Sequence, residues 1–111
     1  MNQPLKYRLK VTDKTAELIR SLHPEIKITI KTALRSIIEQ PYLGKALKDE
    51  LEGLRGYRAK RFRIIYRFSS KIKQIDIVAV GPRKTIYEET FRLVQKKRLR
   101  DQILQEALDA I

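Results

Sequence analysis

The sequence predicts an α+β domain: a small, antiparallel-dominated sheet with an N-terminal helical hairpin packed on one face, followed by a C-terminal helix. Three observations predict it. Apolar residues recur with period two at 5–11 and again at 57–68, and with a period near 3.6 at 16–38 and beyond about residue 88. The order is therefore strand, two helices, strands, helix, which segregates helices from a mostly sequential sheet. At 111 residues the chain has room for one hydrophobic core, so 1–111 is read as a single domain.

Leu5, Tyr7, Leu9 and Val11 alternate with Lys6, Arg8 and Lys10, the pattern of a strand with one buried face. Thr12 or Asp13 can cap a helix carrying Ala16, Leu18, Ile19 and Leu22, which must end at His23-Pro24 because the residue before proline avoids helical backbone. His23 is read as a boundary residue and Pro24 as the first turn of a second helix. In that helix Ile26, Ile30, Leu34 and Ile37 form one apolar stripe, and Gln40-Pro41 stops it. Residues 42–56 contain Gly44, Gly53 and Gly56 among scattered leucines, an irregular crossover.

From Phe62 the alternation is regular: Phe62, Ile64, Tyr66 and Phe68 share one face, and Arg61, Arg63 and Arg67 share the other with Ile65. Tyr57 and Ala59 have the opposite parity, so a turn or bulge is expected near Lys60-Arg61. A turn at Ser69-Ser70-Lys71 leads into a last strand, 72–80, whose apolar residues occupy both parities, the mark of a central strand. Gly81-Pro82 ends it. With the helices on one side, the arginine face is expected to be open.

There is no cysteine and one histidine, so thiol nucleophiles, thiolate metal sites and imidazole clusters are excluded within one chain; no cofactor or metal is expected. No apolar run approaches eighteen residues, and Met1 leads into Asn2-Gln3-Pro4, so neither a membrane span nor a secretory leader is expected, which leaves the cytoplasm. Twenty-five Lys and Arg against thirteen Asp and Glu leave a net charge of +12, suited to a polyphosphate partner. Arg55, Arg58, Lys60, Arg61, Arg63, Arg67, Lys71 and Lys73 follow one another with no acid between them, whereas 101–111 holds three acids and no base.

Gly-Tyr-Arg at 56–58, Phe-Arg-Ile-Ile-Tyr at 62–66 and Val-Gly-Pro-Arg-Lys-Thr-Ile-Tyr-Glu at 80–88 resemble the signature of the RelE/ParE superfamily of bacterial type II toxins, specifically its RelE-like branch. The resemblance covers about residues 4–88 and leaves a helical extension, about 88–111. It implies a microbial-RNase-like sheet that enters the ribosomal A site, cleaves messenger RNA and is held inactive by a cognate antitoxin; a homodimer and a toxin-antitoxin hetero-oligomer are both open. It also implies catalytic roles for Arg63, Arg83 and Tyr87 and matches the family's basic strand residues to Arg58 and Lys60; Arg58, Arg61 and Arg67 are the expected RNA or phosphate contacts.

The implied chemistry is attack of a ribose 2′-hydroxyl on the adjacent phosphate, which needs a proton acceptor, a proton donor and positive charge on the phosphorane, and no metal. Arg63 and Arg83 suit the charge role as permanent forked donors. Tyr87 can bond the 2′-hydroxyl or stack a base, and Lys60 among its cationic neighbours is the candidate base. Relatives generally have a longer, glycine-containing turn between the residues matching Arg58 and Arg63. Two other readings stand beside this one: a ParE-like gyrase poison with no catalytic residues, and a basic relic that binds nucleic acid without cleaving it. The tail, with its apolar stripe and acids, is expected to dock on its own sheet or on a second copy.

Overall fold

The computed structural model describes residues 7–111; Leu5, Lys6 and the start of the expected strand lie outside these. Ten elements follow in order: β1 (Arg8–Val11), α1 (Asp13–Ser21), α2 (Pro24–Glu39), a 3-10 turn (Pro41–Leu43), β2 (Lys45–Ala46), a second 3-10 turn (Asp49–Leu51), β3 (Arg55–Ala59), β4 (Phe62–Ser69), β5 (Gln74–Pro82) and α3 (Arg83–Asp109). The sheet order is β1-β5-β4-β3-β2, antiparallel except for the parallel β1–β5 edge. That edge is parallel because the α1–α2 hairpin and the other strands intervene between its two members.

Local chemistry sets the helix boundaries. The Thr12 hydroxyl accepts from the Thr15 amide at the start of α1. His23 caps α2, its Nδ1 accepting from the Glu25 amide, with Pro24 at the first helical position. The hairpin lays Ile19, Ile30, Ala33, Leu34 and Ile37 on one face of the sheet, against Ile64, Tyr66, Ile75, Ile77 and Val80. This is the main core.

The opposite face is not open as expected. α3 crosses it, and Ile86 and Val94 pack with Ile65, Ala79 and Leu54 in a second, smaller core. Ile65 was the sign of this, since one apolar residue among arginines on an exposed face would have had nothing to cover it. It is fully buried. α3 also starts five residues earlier than the expected boundary near Glu88, so Arg83 and Tyr87 lie in its first two turns.

The two parities of β5 have a local cause. Ile65 pairs with Ala79 and Tyr66 with Ile77, which leaves Val78 as an extra residue and switches the facing of the strand there. Ile75, Ile77 and Val80 thereby all reach the main core, while Ala79 faces α3. β5 is also central, as expected, but it begins at Gln74, and Ile72 is exposed in the preceding turn. The β3–β4 turn uses only Lys60 and Arg61 between the paired Ala59 and Phe62. Without a glycine, Lys60 takes a left-handed φ of 56°, a conformation that costs a side-chain-bearing residue about 1–2 kcal/mol.

Candidate phosphate-binding site

β3 and β4 are in register so that Arg58 lies directly opposite Arg63 on the α3 face. Such cross-strand neighbours have Cβ atoms about 5 Å apart, and like charges there repel. On its other side Arg63 faces Gly81 of β5, over which Ile86 of α3 packs. Arg63 is held by its own turn, Nη1 donating to the Lys60 and Phe62 carbonyls at 2.8 Å each. Its remaining N–H groups are left for a ligand.

Two residues past Gly81 the chain enters α3 with no loop between. The Arg83 amide donates to the Arg61 carbonyl at 2.8 Å, which fixes the start of the helix against the hairpin tip. Gly81 permits this approach, because a Cβ there would come 2.9 Å from Cδ1 of the buried Ile86. Pro82 supplies no side-chain cap, and the first turn carries Arg83 and Lys84 with no acid. Cations at the positive end of a helix oppose the dipole, while unpaired first-turn amides attract anions. Among the described residues none of Arg58, Arg61, Arg63 and Arg83 forms an ion pair. The hairpin tip and the α3 N-terminus therefore form one continuous positive surface, chemically fitted to a phosphate diester.

Tyr87 lies one helical turn beyond Arg83 on the same side of α3. Its hydroxyl hangs over β3, 3.3 Å from where a Cβ of Gly56 would be, and the ring is about one-third exposed. Gly56 and Arg58 share a face two residues apart, so the phenol borders the arginine pair. Lys60 and Arg61 are exposed at the tip and also edge a cleft of about 240 Å³ toward the start of α2, lined by Glu25 and Thr29.

The structure thus brings Arg58, Lys60, Arg61, Arg63, Arg83 and Tyr87 to one end of the sheet. Arg67 is elsewhere. Four residues along β4 at about 3.3 Å each, it stands about 13 Å from Arg63, its Nε donating to Asp76 Oδ2 at 3.2 Å. Asp76 is fixed in turn by Gln74, at 2.8 Å. Lys84 joins the site without having been singled out; the helical spacing of Ile86, Thr90 and Val94, read back across Gly-Pro, is the signal that would have found it.

Residues 9–91 match a family described as ParE-like toxin of type II bacterial toxin-antitoxin system. By sequence, no functionally characterised protein matches. Among solved structures, the toxin-antitoxin complex RelBE2 from Mycobacterium tuberculosis is similar at 25% identity over 70% of this chain and 99% of that one, with a TM-score of 0.62. The archaeal RelE-RelB complex from Pyrococcus horikoshii is similar at 24% identity over 70% and 96%, TM-score 0.59. A mutant of the E. coli toxin RelE in the free state shares the fold at 17% identity over 83% and 97%, TM-score 0.65. No described helix is long and apolar enough to cross a membrane. With three quarters of its length matched and a RelE-type fold, the chain belongs to the ParE-like toxin family of type II bacterial toxin-antitoxin systems.

Proposed function

We propose that this chain acts in the cytosol as a ribosome-dependent endoribonuclease on messenger RNA and is held inactive by a cognate antitoxin. The observation that carries the reading is the convergence of Arg58, Arg61, Arg63 and Arg83 at a helix N-terminus with no acid among them. Those four charges repel one another and the helix dipole, an arrangement that a bound phosphate would stabilise.

In this reading the scissile phosphate sits between Arg63 and Arg83. Their guanidinium groups neutralise the negative charge that grows on the phosphorane as the 2′-oxygen attacks. Arg58 and Arg61 hold the flanking phosphates, and Tyr87 bonds the 2′-hydroxyl or stacks a base. Lys60 takes the 2′-hydroxyl proton as P–O2′ forms and P–O5′ breaks. The leaving 5′-oxygen, hydrogen-bonded by Arg83, takes its proton from water to give a 5′-hydroxyl and a 2′,3′-cyclic phosphate. In this reading Arg67, paired with Asp76, serves the sheet rather than the RNA. The complexes of similar structures with RelB-type partners support an antitoxin here.

The test is cleavage of messenger RNA on purified ribosomes by the full chain, with 5′ ends mapped, beside a gyrase supercoiling assay. Cleavage that vanishes in Arg63→Ala and Arg83→Ala proteins of unchanged melting temperature supports the reading. Supercoiling inhibition that survives both substitutions, with no cleavage by the parent, replaces it with the gyrase-poison reading. RNA binding with neither activity leaves the non-cleaving relic.

A further inference from the structure

α3 has two unlike halves. Its first three turns are packed by Ile86, Thr90 and Val94, whereas every residue from Gln95 to Ile111 is exposed. At 1.5 Å per residue its 27 residues span about 40 Å, and the molecule is 56 Å in its longest dimension. The distal half therefore projects into solvent instead of docking on its own sheet. It carries Leu99, Ile103, Leu104, Leu108 and Ile111, each more than half exposed. Contiguous apolar surface of this kind marks an interaction site.

A groove of about 1030 Å³ runs beside the proximal half, between α1 and α3. Its floor is Val78, Ala79 and Ile86, and its walls are Leu18 and Leu93, both near half exposure. Leu104 and Ile111 of the stripe share the groove face of α3 with Leu93, joined there by Arg100 and Ala107 at steps of seven, four, three and four. Leu108 flanks that face, while Leu99 and Ile103 lie to one side. The charge along that helix is divided. From Arg92 to Arg100 there are five bases and no acid, and from Asp101 to Asp109 three acids and no base.

We propose that this chain forms a two-fold dimer in which the projecting half of α3 from each copy lies antiparallel in the α1–α3 groove of the other. A two-fold axis near residue 100 is the operation that places each stripe in a groove at the same time. With residues 93 and 107 opposite each other, it sets the acidic tip of each helix against the basic stretch of its partner. Arg100 meets its own copy at the axis, with Asp101 next to it on each helix. The α1 wall, with Lys14 and Glu17, is neutral, so the α3 wall sets the direction, with Glu89 the one acid at its inner end. A parallel pair would oppose like charges and leave both grooves empty. The proposal is independent of the nuclease reading, since no residue assigned to the phosphate site takes part.

Sedimentation of the full chain from low to high micromolar concentration tests it. A monomer–dimer equilibrium is expected, and Leu104→Glu from the stripe side and Leu93→Glu from the groove side should each raise the dissociation constant at least about tenfold, with the melting temperature of the diluted monomer unchanged. Lys96→Glu with Lys97→Glu should weaken the dimer, and adding Glu106→Lys and Asp109→Lys should restore it. Because the chain has no cysteine, Leu93→Cys and Ala107→Cys proteins mixed under oxidising conditions report the direction, with the mixed disulfide expected to dominate. A monomer at all concentrations overturns the proposal, even one whose stripe another protein covers. So does a dimer that resists Leu93→Glu, or one that cross-links mainly 107 to 107.

Discussion

The two ends of β4 carry the same chemistry and use it oppositely. At the end nearer β2, Arg55 donates to the Gly44 carbonyl at 2.7 Å and lies over the rings of Tyr42 and Phe68. Beside it the buried Tyr66 hydroxyl donates to the Pro41 carbonyl and accepts from the Gly44 amide. Arg67 is paired with Asp76. Each polar group there is answered within the chain, and the crossover is held to the sheet. At the other end Arg58 and Arg63 face each other without an acid, and Arg83 stands at the wrong end of a helix for its charge. A run of bases is thus two things at once: a set of tethers where acceptors exist, and an anion site where they are missing.

If that contrast is right, the largest effects of substitution at the hairpin end fall on activity. Arg63→Ala and Arg83→Ala should each lower messenger RNA cleavage about a hundred- to a thousandfold, measured in single turnover on ribosomes. Arg83 is exposed, and the side-chain hydrogen bonds of Arg63 go to its own turn, so the melting temperature of each should stay close to that of the parent. A comparable loss from Arg55→Ala, in a protein still folded, would break the division between the two ends.

At the tether end the effect should fall on stability. Tyr66→Phe keeps the ring and strands the Gly44 amide and Pro41 carbonyl, whose residues are both buried. Each orphaned group costs about 1–3 kcal/mol, to be read from urea unfolding. Gly44→Ala should be at least as severe, since a Cβ there would run into the Tyr66 phenol. Cleavage per folded molecule should not change in either variant.

How much of this was legible in the sequence depended on whether a signal was local. Helix starts at Thr12 and Pro24, the stop at Gln40 and the facing of Phe62, Ile64 and Tyr66 are set by neighbours within four residues, and the sequence carries them. The Val78 bulge was visible only as a mixed parity, because one extra residue in a strand looks like burial on both faces. The covering of the arginine face by α3 depended on where that helix starts, and Gly-Pro reads as a strand end whether a loop or a helix follows. The partners of Arg55 and Arg67 lie eleven and nine residues away, on other elements, so no spacing rule separates these arginines from Arg63.

The contrast can be sharpened by pH. Burial raises the pKa of the Tyr66 hydroxyl above its ordinary value near 10, against smaller lowering contributions from the Gly44 amide and Arg55. The folded protein therefore holds that proton more tightly than the unfolded chain. The associated stability is complete below about pH 10 and is lost as pH rises through the folded value, by up to about 1.4 kcal/mol per pH unit. Above pH 10 the unfolding free energy of the parent should fall more steeply than that of Tyr66→Phe, and parallel curves would show that Tyr66 is not linked to alkaline unfolding.

The smallest effect belongs to Arg67. Its side chain is about half exposed and that of Asp76 about one-third, and solvent-exposed pairs contribute about 0–1 kcal/mol after side-chain entropy and screening. Asp76 keeps its bond to Gln74 when the arginine is removed, so no buried charge is left without a partner. Arg67→Ala should therefore shift the unfolding midpoint by no more than that amount and leave cleavage within about twofold of the parent, an effect that 1 M salt, with a Debye length near 3 Å, should largely erase. The informative comparison is with Arg63→Ala, four residues away on the same face of the same strand. If both substitutions lower cleavage equally, RNA runs the length of β4 and the Asp76 pair is broken on binding; if only Arg63→Ala does, the site ends at the hairpin.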